Sequence, residues 1–312
     1  MAKKKVLYRE RTTPLWQVIM ANWQIYLLLI PALVILIWFR YIPMYGIQIA
    51  FKDYNIVKGI AGSDWVGLKY FEKLLKNSMF LRALRNTLIL NLYNFLFQTP
   101  MPIFFAVLID SCKCLWYKKT IQTVSYLPHF LSWVIVGALF SNLLALDTGI
   151  VNRIVTMLGG EQRVWLSSED CFRGIVTFAD IWKSTGWGTI VYLAAMTGID
   201  PSLYEAASID GAGRWQRIWH VTLPGIRATI AVILIMRAGG ALVNDVEMVL
   251  ALYSPTVYEV GDVLGTYMYR TGIGNMKYSL TAAAGLFTSV IGMILMIGAD
   301  RISNKMGERG IW

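Results

Sequence analysis

Charge is what this sequence has least of. Only 15% of its 312 residues are Asp, Glu, Lys or Arg, whereas a soluble domain carries about a quarter. Apolar residues make up 56% of the chain and mean hydropathy is +0.51, which excludes an ordinary water-surrounded globular domain. Cysteine is scarce as well. Cys112, Cys114 and Cys171 make no disulfide framework, and Cys112-x-Cys114 beside only two histidines in the whole chain is a poor metal site. A Walker A pattern is missing, as are H-E-x-x-H and G-x-S-x-G, while EVGDVLG at 259–265 falls one glycine short of a G-x-G-D motif. A nucleotide-binding fold and a membrane-embedded hydrolase both lose their usual signatures. No internal repeat and no low-complexity tract is visible, which speaks against a stand-alone secondary carrier.

The charge that is present is mostly positive, 29 Lys and Arg against 19 Asp and Glu. Nucleic-acid binding would need a basic stripe interleaved with aromatics, and these cations are scattered. Basic edges of a membrane protein account for them better. The N-terminal MAKKKVLYRERTTPLWQ resembles the start of a signal peptide, but the apolar run behind it is too long and RYIPMYG replaces a small-residue cleavage site. A retained first span is expected.

A bilayer core asks for about 20 apolar helical residues. Six windows qualify, at 24–43, 86–109, 126–147, 174–196, 228–251 and 280–299. The chain therefore reads as an all-α integral membrane protein. It has an N-terminal segment at 1–23, a six-helix domain at 24–299 and a C-terminal tail at 300–312. An even number of spans puts both termini on one side. Lys3, Lys4, Lys5, Arg9, Arg11, Lys113, Lys118, Lys119, Arg214, Arg217, Arg227, Arg301, Lys305 and Arg309 gather there close to span ends, so that side is expected to be cytoplasmic. The first outer loop holds a turn cluster at Gly59–Ser63 and an amphipathic helix with Leu68, Phe71 and Leu75. The third holds a helix after Pro255.

One polar stretch interrupts the apolar pattern, LYEAASIDGAGRWQRIWHVTLPGI at 203–226. Asp200 and Pro201 read as a cap and first position of a helix, and the small Ala206 and Ala207 let a partner backbone come close beside Glu205. Gly211 and Gly213 bracket a break where a positive φ is expected. A second helix follows, with Trp215, Ile218, Trp219 and Thr222 on one face, and the two tryptophans are expected to anchor the pair against the membrane domain. By periodicity alone, an ordinary amphipathic loop fits as well.

The spacing Glu-Ala-Ala-x3-Gly-x9-Val-x-Leu-Pro from Glu205 to Pro224 resembles the EAA motif of permease subunits of binding-protein-dependent ABC importers, with Val221 where the family usually has Ile. YIPMYGIQIAFKDYN, SYLPHFLSWVIVG, GWGTIVYLAAMTGIDPSLYEAAS and the C-terminal GERGIW extend the resemblance over nearly the whole chain. They are similar to the polysaccharide-type (LplB-like) branch of maltose-type carbohydrate permeases. The resemblance implies the type I ABC importer permease fold in a bacterial cytoplasmic membrane. It implies ATPase contact through Glu205, Ala206, Ala207, Ser208, Asp210 and Gly211, in a cytoplasmic loop at about 198–227. ATP and Mg would be bound by two separate ATP-binding subunits, with no cofactor in this chain and no catalysis of its own. A second, homologous permease subunit and an extracytoplasmic solute-binding protein complete the implied assembly, whose substrate is a carbohydrate, oligosaccharide by branch. Two sides of the first helix could meet the ATPase: Ser202, Glu205, Ala206 and Ile209, or Leu203, Ala207 and Asp210.

Polar groups at bilayer depth are costly and usually face a cavity or a partner. Asp180 and Lys183 are one turn apart, either a self-satisfied pair or part of a path lining in which Trp182 and Trp187 stack on sugar rings. Asn244 and Asp245 are further path candidates. Asn91, Asn94 and Gln98 form a stripe facing the path or a second permease, and Arg237 is read as a packing or internally paired residue. His129 is expected to pack or hydrogen-bond. A permease for a non-sugar solute is the nearest alternative. A stand-alone carrier and a membrane enzyme stand further off.

Overall fold

The computed structural model describes residues 15–112, 114–243, 246–305 and 307. Helix dominates, as it must where backbone N–H and C=O groups have no water to bond. Along the chain run α1 (Trp23–Phe51), α2 (Lys69–Leu75), α3 (Ser78–Asp110), α4 (Leu115–Phe130), α5 (Trp133–Leu143) and α6 (Ile150–Met157). Then come α7 (Glu169–Thr197), α8 (Pro201–Ile209), α9 (Arg214–Gly225) and α10 (Arg227–Gly239). The last are α11 (Val246–Leu252), α12 (Leu264–Tyr269) and α13 (Tyr278–Lys305).

Three of these, α1, α3 and α13, are long and apolar enough to cross a membrane, and they coincide with the first, second and sixth apolar windows. The 29 residues of α7 would reach about 43 Å at 1.5 Å per residue, but Asp180 and Lys183 sit mid-helix. The third window, expected as one helix, is instead bent by 101° between α4 and α5. Pro128 lies in a tight 3₁₀ turn, Leu131 and Ser132 are extended, and the Ser132 hydroxyl then caps α5 by accepting from Ile135 N–H. The fifth window is interrupted after Gly239 and Gly240, with helix resuming at Val246.

Helices meet where side chains are small. Gly186 of α7 lies against the Ser125 carbonyl of α4, and a Cβ on Gly292 of α13 would come within 2.5 Å of Gly239 O on α10. Larger residues fill the rest. Trp133, Phe140, Phe172, Val176 and Val249 form one buried cluster, and Leu74, Phe80, Tyr267 and Leu280 form another.

Opposite the end of α7 that leads into α8, polar side chains bind the outer segments together. Asn86 of α3 donates to the carbonyls of Glu259 (2.9 Å) and Asp262 (3.1 Å), and accepts from Arg173 of α7 at 2.8 Å. Arg270 meets the buried Asp262 carboxylate through two nitrogens, at 2.7 and 3.1 Å. The first loop closes with a short antiparallel ribbon of Lys52–Asp53 and Asp64–Trp65. A single helical turn, Gly59–Gly62, stands at the expected turn cluster, and Tyr258–Gly261 gives one turn after Pro255. The expected face of α2 is shifted. Leu74 is its buried residue and Phe71 packs on Phe51, while Leu68, which precedes the helix, and Leu75 are exposed.

Candidate functional site

Two features carry chemistry, a cleft between α3, α7 and α10 and an exposed helix beside the C-terminal end of α7.

The cleft, of about 490 Å³, is lined by Asn91, Asn94 and Gln98 of α3, Asp180 of α7, and Leu234, Arg237, Ala238 and Gly240 at the end of α10. Both helical walls are irregular. From Asn94 to Gln98 the backbone of α3 widens into a π turn, with Thr99 N–H reaching Asn94 O at 3.1 Å. The extra residue rotates Gln98 inward. On the facing wall α10 stops at Gly239. Interrupted helices frame substrate sites in many transporters, since irregular backbone is tolerated at bilayer depth where it lines a cavity.

A directed relay of hydrogen bonds crosses the cleft wall. Arg237 Nη1 donates to Gln98 Oε1 at 2.7 Å, Gln98 Nε2 donates to Ser184 Oγ at 2.9 Å, and the Ser184 hydroxyl shares its one proton between the Asp180 carbonyl and, at 2.7 Å, Asp180 Oδ1. A cation and a carboxylate on different helices are thus joined through two neutral dipoles. Arg237, read from the sequence as packing or internally paired, is paired internally with Gln98, and it also lines the cleft. The signal that could have found its place in the cleft is an arginine two residues before the Gly239-Gly240 pair that ends its helix.

The structure therefore brings Asn91, Asn94 and Asp180 together and turns the other candidates elsewhere. Lys183 Nζ donates to His129 O at 2.9 Å and lies 5.3 Å from the Trp133 ring centre. Trp187 stacks flat on His129, at 4.6 Å between ring centres. Trp182 packs edge-on to Phe140 and borders a separate apolar hollow with Leu139 and Phe178. Asn244 and Asp245 lie outside the described residues.

The exposed helix, α8, is built as its sequence dictates. Asp200 is extended, and its Oδ1 accepts from Ser202 N–H at 2.9 Å, which lowers the carboxyl pKa from its ordinary value. At the other end Gly211 has φ +77°. Ala212 N–H bonds Ala207 O at 2.8 Å and Gly211 N–H bonds Ser208 O at 3.2 Å, the paired closure typical of a helix stopped by a left-handed glycine. Nothing lies within 4 Å of a Cβ placed on Gly211, so the requirement there is torsional rather than steric.

Glu205, Ala206, Ser208 and Asp210 are exposed and Ala207 is partly covered. Of the two sides open in the sequence, Ser202, Glu205, Ala206 and Ile209 are all exposed, with Ile209 at 86%, and on the other Leu203 and Asp210 are exposed while Ala207 is partly covered. The inner side is bolted to α9. Tyr204 Oη lies 3.0 Å from Thr222 Oγ1, and Arg217 Nη1 donates to Ser208 Oγ at 3.2 Å. The expected tryptophan anchor is not there. Trp215 and Trp219 are 68% and 65% exposed, and the anchoring falls to Tyr204, to buried Thr222 and to Ile199 packed over Gly225.

This architecture is found in known proteins. Residues 79–308 match the family of binding-protein-dependent transport system inner membrane components. Protein LplB of Bacillus subtilis is 45% identical over 92% of this chain and 91% of its own length. The polygalacturonan/rhamnogalacturonan transport system permease protein YteP of the same organism is 42% identical over 92% and 90%. Among solved structures, a chain of a bacterial ABC transporter involved in the import of the acidic polysaccharide alginate superposes with a TM-score of 0.86 at 40% identity, over 93% of this chain and 98% of that one. From the family match and these identities, the chain belongs to the binding-protein-dependent transport system inner membrane components.

Proposed function

We propose that this chain is one permease subunit of an ATP-driven importer that moves a carbohydrate, oligosaccharide in form, into the cytoplasm. In this reading six segments cross the membrane, counting the bent α4–α5 and the interrupted α10–α11 as one span each. Both termini and the 198–227 loop are cytoplasmic. ATP and Mg are bound by two separate subunits, a homologous permease supplies the other half of the path, and an extracytoplasmic protein delivers the solute. Alginate and polygalacturonan/rhamnogalacturonan in the names of the relatives support a saccharide substrate.

One observation carries the mechanism. α8 is exposed on the side of Ser202, Glu205, Ala206 and Ile209 and fastened on its other side, through Tyr204 and Thr222, to the segment that feeds α10, whose last turn holds Arg237. Helix-in-groove docking of the exposed side in an ATPase cleft would make α8 a rigid lever. Displacement of the ATPase would then pass through α9 to the cleft wall and switch access from one side to the other. Glu205 supplies the charge at that joint and Gly211 its turn. Asn91 and Asn94, whose amides donate and accept, serve sugar hydroxyls in the cleft.

The test is purification followed by reconstitution. The chain should come out with a second permease and ATPase subunits, and proteoliposomes given the solute-binding protein should take up oligosaccharide only with ATP. Uptake by the isolated chain without ATP would overturn the reading in favour of a secondary carrier.

A further inference from the structure

Arg237 is more strongly charged than its surroundings require. It lines the cleft, half-buried, and among the described residues its hydrogen bond goes to a neutral amide oxygen, Gln98 Oε1 at 2.7 Å. A guanidinium has five N–H donors and no acceptor. A single amide oxygen offsets only part of the cost of holding such a cation at bilayer depth. Asp180 lines the same cleft, but Gln98 and Ser184 stand between the two charges, and Ser184 donates to an Asp180 oxygen at 2.7 Å. Sugar hydroxyls do not explain the arginine. Asn91 and Asn94 border the same space and would serve hydroxyls without the cost of a buried charge.

We propose that Arg237 recognises a carboxylate on the passing saccharide, so that the cleft favours a uronate-containing chain over a neutral one. This rests on the reading of the cleft as a saccharide path. A carboxylate presents two oxygens in one plane, which the planar guanidinium fork accepts as a pair of charge-assisted bonds. Gln98 suits the task as a resident partner because it is neutral. A carboxylate arriving from the substrate displaces its amide oxygen at small cost, and the amide closes again when the substrate leaves. A resident Asp or Glu would hold the arginine too tightly to be exchanged, since separating a buried ion pair costs about 3–5 kcal/mol. Conduction needs binding strong enough to admit and weak enough to release.

The experiment uses the complete importer in lipid nanodiscs, without the solute-binding protein, and two probes. One is trigalacturonic acid and the other is the same trisaccharide with its carboxyl groups reduced to alcohols. Direct binding should favour the acid by about tenfold or more, the worth of one charge-assisted hydrogen bond. Arg237→Gln should bring the ratio of acid to reduced-probe affinity to about one, whatever it does to the two affinities themselves, and Arg237→Lys should keep part of the preference. Equal binding of both probes to the unaltered importer would overturn the proposal yet leave the saccharide path standing. An acid preference that survives Arg237→Gln would overturn it too. Binding of neither probe by an importer that also takes up no oligosaccharide once the solute-binding protein is added would overturn the path itself. Binding of neither probe by one that does take it up would overturn the proposal alone, and the comparison in the unaltered protein holds even if Arg237→Gln fails to fold.

Discussion

The Tyr204 hydroxyl sits 3.0 Å from that of Thr222, and this contact joins a solvent-exposed helix to the segment that enters the next span. Thr222 is buried and Tyr204 is half-covered, so the bond works as a clamp between two short arms rather than as part of a core. One such bond contributes about 1 kcal/mol, too little to decide folding and enough to slacken a lever. Tyr204→Phe and Thr222→Val should each lower the amount of saccharide imported per ATP hydrolysed, with little change in thermal stability. The double variant should be no worse than the poorer single. Unchanged transport-to-hydrolysis ratios in both singles would remove the clamp from the mechanism.

Gly211 makes a second, independent test. Its φ of +77° is open to glycine, tolerable for asparagine and costly for a residue with an ordinary Cβ, by about 1–2 kcal/mol. Proline, fixed near −65°, cannot adopt it. Uptake should fall in the order Gly, Asn, Ala, Pro while membrane insertion stays constant. Glu205→Lys should likewise reduce uptake without reducing insertion. An alanine variant as active as the parent would show that the torsion is not needed.

The pair of Arg270 and buried Asp262 predicts a stability effect remote from transport. Asp262→Ala leaves a half-buried guanidinium without its carboxylate, a loss near the lower end of about 3–5 kcal/mol because Arg270 keeps some contact with solvent. Thermal unfolding in detergent should show it, and Asp262→Leu combined with Arg270→Met should recover most of the loss. Failure of the double variant to recover would mean that Thr266, which donates to Asp262 at 2.8 Å, matters more than the charge pair.

Asp53 and Tyr70, 2.6 Å apart in the outer loop, give a pH dependence with two limits. Hydrogen bonding from Tyr70 and Lys69 lowers the Asp53 pKa below 3.8, so its contribution is present above that value and disappears as pH falls through the lowered one. Burial, then the bond to Asp53, pushes Tyr70 up from 10.0 to about 12, so its contribution is intact below pH 10 and is lost as pH rises towards 12. Hydrogen-exchange protection in residues 52–76, taken relative to the intrinsic rate at each pH, should fall at both extremes. Asp53→Asn should abolish the acid limit, and an acid limit that persists in this variant would assign it to another group.

The inner helix pair was legible because its signals are local. A cap at Asp200, proline behind it and a glycine at 211 act within a few residues, and each was found where the spacing put it. What the pair leans on was not legible. Trp215 and Trp219 share a helical face, and periodicity identifies a face without saying whether protein, lipid or another subunit covers it. The bends followed the same rule. Pro128 and Gly239–Gly240 stand in the sequence, but the apolar windows ran straight through them because hydropathy averages over a turn. The π turn at Asn94–Gln98 leaves no compositional trace, so the rotation that brings Gln98 to Arg237 could not be anticipated. Nor could the buried Asn152, which binds Ala145 O, Arg163 and Trp165 from one side chain. Its partners are up to thirteen residues away, and nothing in the sequence marks them.

The helix that begins at Trp23 shows none of its apolar window buried in the rest of the chain, and only its far end, Ile42–Phe51, rests on α13. The family match starts at residue 79, beyond it. Mechanically this is a cantilever. Its free length takes its position from whatever surrounds it, so a thicker bilayer or an adjoining subunit can tilt it without repacking a single buried side chain of the body. Its fixed end rests on α13, the helix whose Gly292 meets the stop of α10 at Gly239.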